Sequence, residues 1–243
     1  MDGGDHLKEL KNIKIMKGNI FTTKCDVIVN AVNCVGVMGA GIAFEFRLRY
    51  PKMFDKYVEF CKLGKLDIGI LWIYTLEEES DTYKKILNFP TKKDWKQLSK
   101  LEYLEKGLAK FVSTYKEKGI KSIAFPLLGS QKGGLSGMVV EKLLIDYLSK
   151  CDDLEVEIWH FDPRAEDDLY ENFKKTFDDI NFNEIKISEN IVEKIKNGLN
   201  NENIKSFNGL LKLKGIGVKT LEKLFEYSRK NSKKKIENLK FKI

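Results

Sequence analysis

Apolar residues follow two different spacings along the first part of the chain, and each spacing predicts a different element. Short runs rich in β-branched residues predict strands, whereas apolar residues three or four positions apart predict helices. The predicted strands are Ile13–Lys17, Asp26–Asn30, Ile68–Thr75, Tyr83–Phe89, Ser122–Pro126 and Glu155–Phe161. The predicted helices are Ile42–Leu63, Leu101–Lys118 and Met138–Lys150. This alternation indicates the α/β class, as a three-layer domain with a mixed, mostly parallel sheet.

Charge is distributed unevenly and separates a body from a tail. Residues 184–243 carry 15 Lys and Arg against 7 Asp and Glu, a net charge of +8, whereas the 183 residues before them carry 28 against 29. Because Asp162-Pro163 ends the last strand, we expect a flexible lead-in (1–12), an α/β domain (13–162), a connecting segment (163–183) and a basic helical tail (184–243). A near-neutral body with a basic appendage indicates a domain that attaches to a polyanion.

Composition excludes several classes of protein. With 42% hydrophobic and 33% charged residues, the chain fits a soluble globular protein, and it shows no membrane-span or secretory pattern. The four cysteines form no C-x-x-C pair, which favours a reduced, cytoplasmic protein. With only two histidines, a histidine-based metal site or a Ser-His-Asp triad is nearly excluded. We therefore expect no metal, no cofactor and no membrane partner.

The stretch Asp26–Ala43 gives the first indication of a ligand site. The apolar run Val27–Val29 is followed by two asparagines, and three glycines then lead into a helix that starts near Ile42. Glycines after a strand let backbone N–H groups turn toward an anion, and asparagine suits ribose hydroxyls. The glycine spacing matches neither the dinucleotide-binding fingerprint nor the P-loop. The stretch fits a site for a nucleoside diphosphate sugar and a tight packing turn equally well.

A second glycine-rich turn and a lysine extend the candidate site. The turn Leu127–Ser136 follows the fifth predicted strand, and two such turns on parallel strands can clamp a diphosphate across the sheet edge. Thr91 and Lys92 follow the strand Tyr83–Phe89 and emerge at the same edge. A lysine acts as a nucleophile or proton carrier only when its pKa is lowered or a neighbour activates it. Taken alone, Lys92 is better explained as half of a solvated pair with Lys93.

Together these segments resemble a known family. The segments that carry the resemblance are Gly18-Asn19-Ile20, the Asn30–Ala43 loop with Gly-Val-Met-Gly-x-Gly-Ile-Ala, Asn88-Phe-Pro-Thr-Lys92 and Pro126-Leu-Leu-Gly129. On these motifs residues 13–162 resemble a macrodomain, the fold that binds ADP-ribose. Within that family they are similar to the branch that contains the DarG antitoxins, which remove ADP-ribose from thymidine in DNA, and terminal ADP-ribose protein glycohydrolase.

The resemblance implies a role for each matching residue. Lys92 would be the catalytic lysine, acting at the anomeric carbon as a nucleophile or as an aid to the leaving group. Asn19 would accept a hydrogen bond from the adenine amino group, and Asn33 would bond the distal ribose. The other residues implied in ADP-ribose binding are Ile20, Asn30, Gly36, Val37, Met38, Gly39, Gly41, Ile42, Thr91, Pro126, Gly129, Ser130, Gln131, Lys132, Gly133, Gly134 and Leu135.

The phosphate turn departs from the family pattern in a way that bears on the substrate. The family commonly has Gly-Cys-Gly-x-x-x-Leu, where this chain has Ser130 and Gln131 in place of the cysteine and the second glycine. The protein-directed relative has an aspartate at the position of Gly133, whereas DarG-type loops have glycine. The resemblance thus implies hydrolysis of ADP-ribosylated DNA, with an ADP-ribosyltransferase toxin as partner. Hydrolysis of Glu- or Asp-linked ADP-ribose on proteins, a non-catalytic reader of ADP-ribose and a DNA-repair scaffold remain alternatives.

The basic tail contains a separate motif. Residues 207–225 fit a helix-hairpin-helix, in which a Gly-Ile-Gly turn directs backbone N–H groups toward a DNA phosphate and lysines add charge. The residues predicted to contact DNA are Lys212, Lys214, Gly215, Gly217, Lys219 and Lys223. Such contact would be independent of sequence and sensitive to salt. The alternative is a helical hairpin that packs on the body or on a protein partner.

Overall fold

The computed structural model of the chain describes residues 12–77 and 83–240, those after Arg229 by their backbone alone. The chain divides into two compact units at the junction between Asp162 and Pro163. Of the predicted lead-in, all but Asn12 lies outside the described residues. Within the described ranges, no helix combines the length and the apolar character needed to cross a bilayer.

The first unit is built on one sheet of six described strands. The strands are β1 (Ile13–Gly18), β2 (Val27–Asn33), β3 (Trp72–Thr75), β4 (Lys85–Lys92), β5 (Ser122–Pro126) and β6 (Glu155–Phe161). Their order is β1-β6-β5-β2-β4-β3, and each neighbouring pair is parallel except β3–β4, which is antiparallel. The predicted mixed, mostly parallel sheet is confirmed, and the carboxyl ends of five strands meet at one edge.

Helices cover both faces of this sheet. They are α1 (Gly41–Arg49), α2 (Pro51–Lys62), α3 (Leu101–Thr114) and α4 (Gly137–Leu148). Alternate residues of β2 enter different cores: Val27 and Val29 pack with α3 and α4, whereas Ile28 packs with α1 and α2. A strand buried on both faces reads as a continuous apolar run, as β2 does. The predicted three-layer arrangement is therefore confirmed.

The predicted helix Ile42–Leu63 is wrong as a single helix, because Pro51 divides it. α1 ends at Arg49 and α2 begins at Pro51, with Tyr50 between them at φ −130° and ψ 68°. Proline has no N–H to donate to the preceding turn and disfavours helical geometry in the residue before it, yet it fits the first position of a new helix. α2 thereby places Tyr57 against the end of β2, where the candidate site begins.

β2 and β4 run further than predicted. β2 continues to Asn33 and β4 to Lys92, and these two residues are register partners beyond an irregularity at Val32. β4 passes through Pro90, which lies beyond the last residue of β4 that pairs with β3, a position where the missing N–H of proline is tolerated. Strand geometry therefore places Asn33 and Lys92 side by side.

The edge strand β3 is shorter than the predicted strand Ile68–Thr75. A turn precedes it, in which the Ile70 N–H donates to the Asp67 carbonyl at 2.9 Å and Gly69 takes a φ of +81°. A strand cannot run through this left-handed residue, and β3 begins at Trp72.

The second unit is helical and has its own core, which confirms the predicted all-α C-terminal region. Its helices are α5 (Asp168–Thr176), α6 (Glu189–Leu199), α7 (Phe207–Leu210) and α8 (Val218–Lys240). The ring centroid of Phe207 lies 5.0 Å from that of Phe173 on α5 and 5.5 Å from that of Phe225 on α8. Because α5 comes from residues 163–183, that stretch packs into the same core as the hairpin of α7 and α8.

Candidate functional site

The carboxyl ends of the five parallel strands form a row along one edge of the sheet. In the order of the strands, the row comprises Gly18 on β1, Phe161 on β6, Pro126 on β5, Asn33 on β2 and Lys92 on β4. At the usual spacing of about 4.8 Å between strands, the row spans roughly 19 Å. Such a row suits an elongated ligand that lies across the strand ends.

A crevice opens in the middle of this row, between β2 and β5. The two strands pair with each other only at Val27–Ile123 and Ile28–Ala124, and beyond these residues each pairs only with its other neighbour, β4 or β6. The helices that follow β2 lie on one face of the sheet, whereas α4, which follows β5, lies on the other. Ligands of open α/β sheets bind at such a point, where the direction of winding changes.

Asn33 shapes the turn on one side of the crevice. Its Oδ1 accepts hydrogen bonds from the N–H groups of Val35 at 3.1 Å and Val37 at 3.3 Å, and its Nδ2 donates to the Val37 carbonyl at 2.5 Å. The hydroxyl of Tyr57, a fully buried residue of α2, donates to the backbone carbonyl of Asn33 at 2.7 Å and lies 3.0 Å from Oδ1. The amide predicted to bond the ribose is thus held by its own turn.

The rest of this turn offers mainly backbone to a ligand. Gly36 and Gly41 take φ values of +79° and +58°, and the space beside Gly41 is open where a Cβ would point. Gly41 begins α1, whose first turn has no acidic residue and no side-chain cap, so the helix amino terminus is suited to an anion. Met38 is fully buried in the core, which leaves only its backbone for contact. Gly39, Val37 and Ile42 are half-buried.

Asn30 lies in the core instead of on the crevice surface. It is fully buried, and its Nδ2 donates to Oδ1 of Asn88, its register partner on β4, at 2.9 Å. The other polar atom of each side chain has no hydrogen-bond partner among the described residues. This buried amide pair links β2 to β4 below the positions of Asn33 and Lys92.

Lys92 is the most unusual charged residue at the edge. Only 8% of it is exposed, and its Nζ donates to the Lys132 carbonyl of the second glycine-rich turn at 2.9 Å. Burial lowers the pKa of its ammonium group below the ordinary value of 10.5. Among the described side chains, no carboxylate lies within ion-pair distance of Lys92. The arrangement raises the neutral fraction of the amine above that of a solvated lysine and holds the amine at a fixed position.

Lys93, the next residue, is in the opposite environment. Its ammonium group pairs with both carboxylate oxygens of Asp67, one of them at 2.6 Å, and about half of its side chain is exposed. The hydrogen bond to Asp67 raises the pKa of Lys93 and lowers the pKa of Asp67. The solvated-pair explanation therefore fits Lys93 and fails for Lys92.

The glycine-rich turn opposite is closed so tightly that it excludes side chains. The Leu135 N–H donates to the Gly129 carbonyl at 3.0 Å, and the Ser99 N–H donates to the Gly133 carbonyl at 2.9 Å. A Cβ at Gly133 would lie 2.3 Å from the Gly129 carbonyl oxygen and 2.4 Å from the Ser99 Oγ. Gly129 and Gly134 take φ values of +67° and +78°. The turn keeps its shape with Ser130 and Gln131 in place.

The remaining predicted residues of this turn and of β4 differ in exposure. The Thr91 hydroxyl is buried and lies 3.3 Å from the Val32 carbonyl, and the Ser130 hydroxyl donates to the Leu127 carbonyl at 2.7 Å. The side chains of Gln131 and Lys132 are exposed, and those of Pro126 and Leu135 are half-buried.

The end of the row at β1 and β6 has the features expected of a binding site for a planar ring. Asn19 Oδ1 accepts from the Phe21 N–H at 3.1 Å, which caps the short 3₁₀ turn Ile20–Thr22, and Ile20 itself is buried. Phe161 pairs with Gly18 across β1 and β6 and leaves 56% of its area exposed. An exposed phenyl ring beside this turn can stack on an aromatic base.

Comparison with known proteins decides the family. Residues 29–144 match the family model described as Macro domain. The DNA ADP-ribosyl glycohydrolase of Mycobacterium tuberculosis is 40% identical over 142 residues, which is 58% of this chain and 40% of that protein. The solved macrodomain of Mycobacterium tuberculosis DarG is 39% identical with a TM-score of 0.57, over 60% of this chain and 97% of that chain. The chain belongs to the macrodomain family.

A further solved structure of a relative is a complex with ADP-ribose. It is Thermosipho africanus DarTG in complex with ADP-ribose, which is 32% identical with a TM-score of 0.59, over 63% of this chain and 42% of that chain. The chain matches about 40% of the length of the curated DNA ADP-ribosyl glycohydrolases named here. The predicted resemblance to the DarG branch of macrodomains is confirmed.

Four residues of the macrodomain edge were missing from the sequence prediction. Tyr57 and Ser99 hold the two turns, Asn88 pairs with Asn30, and Phe161 lies beside the turn at Asn19. Phe161 could have been found, because it ends an apolar strand at the same edge as the other residues. Tyr57 and Ser99 act through contacts that cross long stretches of chain, and no local pattern marks them.

The segment predicted as a helix-hairpin-helix consists of the short α7, a turn and the start of α8, and below it is called the hairpin; it exposes the residues predicted to contact DNA. The buried Ile216 anchors the turn, whereas the exposed Gly215 has a φ of +91° and Gly217 has open space beside it, directly before α8. Lys212, Lys214, Lys219 and Lys223 are exposed. Of these, Lys223 donates to the Ile185 carbonyl at 3.2 Å.

Proposed function

We propose that this chain is an ADP-ribosyl glycohydrolase that removes ADP-ribose from thymidine in DNA and counteracts a DNA-modifying ADP-ribosyltransferase. The proposal draws on relatives named DNA ADP-ribosyl glycohydrolase and on a Thermosipho africanus relative named as a fusion of a DNA ADP-ribosyl transferase with a DNA ADP-ribosyl glycohydrolase. The free state of all four cysteines supports the cytoplasm as the compartment.

The observation that carries the proposal is the environment of Lys92. A buried lysine with a lowered pKa costs stability, so a chain that binds ADP-ribose without cleaving it would have no need for one here. Its register partner Asn33 belongs to the turn proposed to hold the distal ribose, and its Nζ touches the turn proposed to hold the phosphates. The amine thus lies where the distal ribose would meet the pyrophosphate.

The chemistry follows from a neutral amine next to an anomeric carbon. The Lys92 nitrogen attacks that carbon, a C–N bond to lysine forms, and the bond to thymine breaks with its electron pair leaving on the base, which takes up the proton that the attacking nitrogen loses. The resulting ribosylamine opens to an imine. Water adds to the imine, which releases ADP-ribose and regenerates the amine.

The geometry of Gly133 supports DNA over protein as the substrate. The family's protein-directed branch has an aspartate at this position, yet in this chain even a Cβ would collide with the Gly129 carbonyl and with Ser99. A carboxylate therefore cannot be accommodated in this turn, and the second step falls to water and Lys92. The exposed lysines and glycines of the hairpin would add contacts to DNA phosphates.

The test compares two substrates with wild type and two variants of the full chain. Wild type should release ADP-ribose from an oligonucleotide with ADP-ribosylated thymidine faster than from a glutamate-linked peptide. Lys92→Arg keeps a donor to the Lys132 carbonyl but cannot become a neutral amine, so the rate should fall by about 10² or more. Lys93→Ala, the matched control, removes a charge already paired with Asp67 and should change the rate by less than about threefold.

Each contrary result points to a different function. Faster turnover of the glutamate-linked peptide would make the chain a protein-directed hydrolase. Tight ADP-ribose binding in calorimetry with no turnover of either substrate would make it a reader. A Lys92→Arg variant as active as wild type would remove Lys92 from the reaction.

A further inference from the structure

The loop that follows Lys92 exposes large apolar side chains to solvent. Between the end of β4 and the start of α3, Trp95 is 53% exposed and Leu98 is 69% exposed. Nothing in the proposed binding of ADP-ribose employs these two side chains. Large apolar side chains exposed within one short loop can form a surface that contacts a partner.

This loop is fixed next to the proposed reaction centre. The Ser99 N–H donates to the Gly133 carbonyl, and the Leu98 Cδ2 lies 3.0 Å from the point where a Cβ of Gly134 would be. Lys92 bonds the carbonyl of Lys132, one residue earlier in the same turn. The proposed catalytic amine and Leu98 therefore contact the same three-residue turn, and Trp95 lies three residues before Leu98 in the loop.

The charges around these side chains are mainly positive. The Nζ of Lys96 lies 5.4 Å from the Trp95 ring centroid, and Lys100 and Lys132 are also exposed. The loop contains one acid, Asp94, whose carboxylate accepts the N–H of Lys96 and caps the loop. Lys93 is neutralised by Asp67, whereas Lys100 has a long contact of 3.9 Å with Glu102 and lies 5.4 Å from the Tyr103 ring centroid. An aromatic ring flanked by cations is the pattern that binds single-stranded nucleic acid.

We propose that Trp95 and Leu98 form a binding surface for the single-stranded DNA next to the modified nucleotide, with Trp95 stacked on an adjacent base. This inference rests on the proposed function, because a thymine linked to ADP-ribose must leave the base stack before Lys92 can reach it. The nucleotides beside that thymine then lose a stacking partner, and Trp95 replaces it. Lys96 lies beside the ring, where the backbone phosphate of the stacked nucleotide would pass.

The experiment separates contacts to flanking nucleotides from contacts to ADP-ribose. Full-length wild type, Trp95→Ala and Trp95→Phe are compared on ADP-ribosyl-thymidine and on a single-stranded oligonucleotide with ADP-ribosylated thymidine at its centre. Trp95→Ala should raise KM for the oligonucleotide by about tenfold, the effect of losing one stacked base. It should leave kcat/KM for the nucleoside within about twofold, and Trp95→Phe should restore most of the loss.

A second pair of variants tests the neighbouring side chain. Leu98→Ala should also raise KM for the oligonucleotide, whereas Leu63→Ala, which truncates a leucine that is 56% exposed directly after α2, should not. An equal effect of Trp95→Ala on both substrates, or no effect on either, would overturn the proposal. The second result would leave a protein partner as the occupant of the surface.

Failure of the proposed function has a different signature. If wild type cleaves neither substrate, the surface is tested by the binding of unmodified single-stranded oligonucleotide to the full chain. The second unit contributes equally to wild type and Trp95→Ala, so a weaker affinity of the variant would still support the surface. Equal affinities would refute it.

Discussion

Two adjacent lysines of the site lie in opposite environments. Lys92 is buried with a lowered pKa, whereas Lys93 is half-exposed with a raised pKa. Because the charged form of Lys92 is disfavoured, a larger share of its amine is neutral at each pH below the ordinary pKa of 10.5. The chemical step should therefore accelerate as pH rises through the lowered pKa of Lys92 and level off above it.

Single-turnover rates across the alkaline range test this prediction, with Lys93→Ala as the reference. That variant should show the same inflection as wild type, since the side chain of Lys93 faces Asp67. A rate that keeps rising until about the pKa of an unperturbed lysine would show that burial of Lys92 does not tune the reaction.

From the sequence, only the resemblance to a known family distinguishes Lys92 from Lys93. The two lysines are adjacent in the sequence and have the same side chain, and a lone lysine in a basic protein is best explained as solvated. What separates them is tertiary: Asp67 comes from a turn 26 residues earlier, and the Lys132 carbonyl comes from a turn 40 residues later. The same holds for Ser99 and Tyr57, whose partners lie far along the chain.

At the scale of elements, the two turns of the crevice are held from opposite sides of the sheet. α2 fixes the first turn through Tyr57, and the loop before α3 fixes the second through Ser99. Strand and helix types were predictable because apolar periodicity reports burial. Their ends were less predictable: the sequence pattern did not extend β2 to Asn33 or β4 to Lys92, and the break at Pro51 was overlooked.

The tightness of the second turn leads to a prediction about Gly133. Gly133→Ala should force the turn open, because its Cβ would meet the Gly129 carbonyl at 2.3 Å. We expect the free energy of unfolding to fall by about 1–3 kcal/mol, the usual cost of overpacking, and the affinity for ADP-ribose to fall with it. Denaturant unfolding and calorimetry measure the two effects.

Gly137→Ala is the matched control for that substitution. Gly137 lies at the start of α4, four residues further on, and its Cβ would meet Leu127 at an ordinary contact distance of 3.4 Å. Its stability and ADP-ribose affinity should match those of wild type. Equal losses in the two variants would mean that the closed shape of the turn is unimportant for binding.

At the scale of the whole molecule, the chain joins a macrodomain to a basic helical unit with a separate core. The sequence indicated both parts, because the strand pattern ends after Phe161 and the charge becomes basic from residue 184. It did not reveal that residues 163–183 supply Phe173 to the core around Phe207, because an acidic, partly helical stretch resembles a linker until its packing partner is known. A unit with its own core can present a rigid surface to a partner.

The hairpin of that unit leads to a prediction about salt dependence. If Lys214 and Lys219 neutralise DNA phosphates, then Lys214→Gln with Lys219→Gln should lower the slope of log affinity against log salt by about 1.5, since each lost phosphate contact contributes roughly 0.7–0.9. Lys174→Gln with Lys175→Gln removes the same charge from exposed positions on α5 and should leave the slope nearly unchanged. Binding of unmodified DNA between low and moderate salt gives both slopes.

Identical slopes in the two double variants would mean that overall charge, and not the hairpin, attracts DNA. Turnover of ADP-ribosyl-thymidine should be the same in both, because neither pair belongs to the macrodomain.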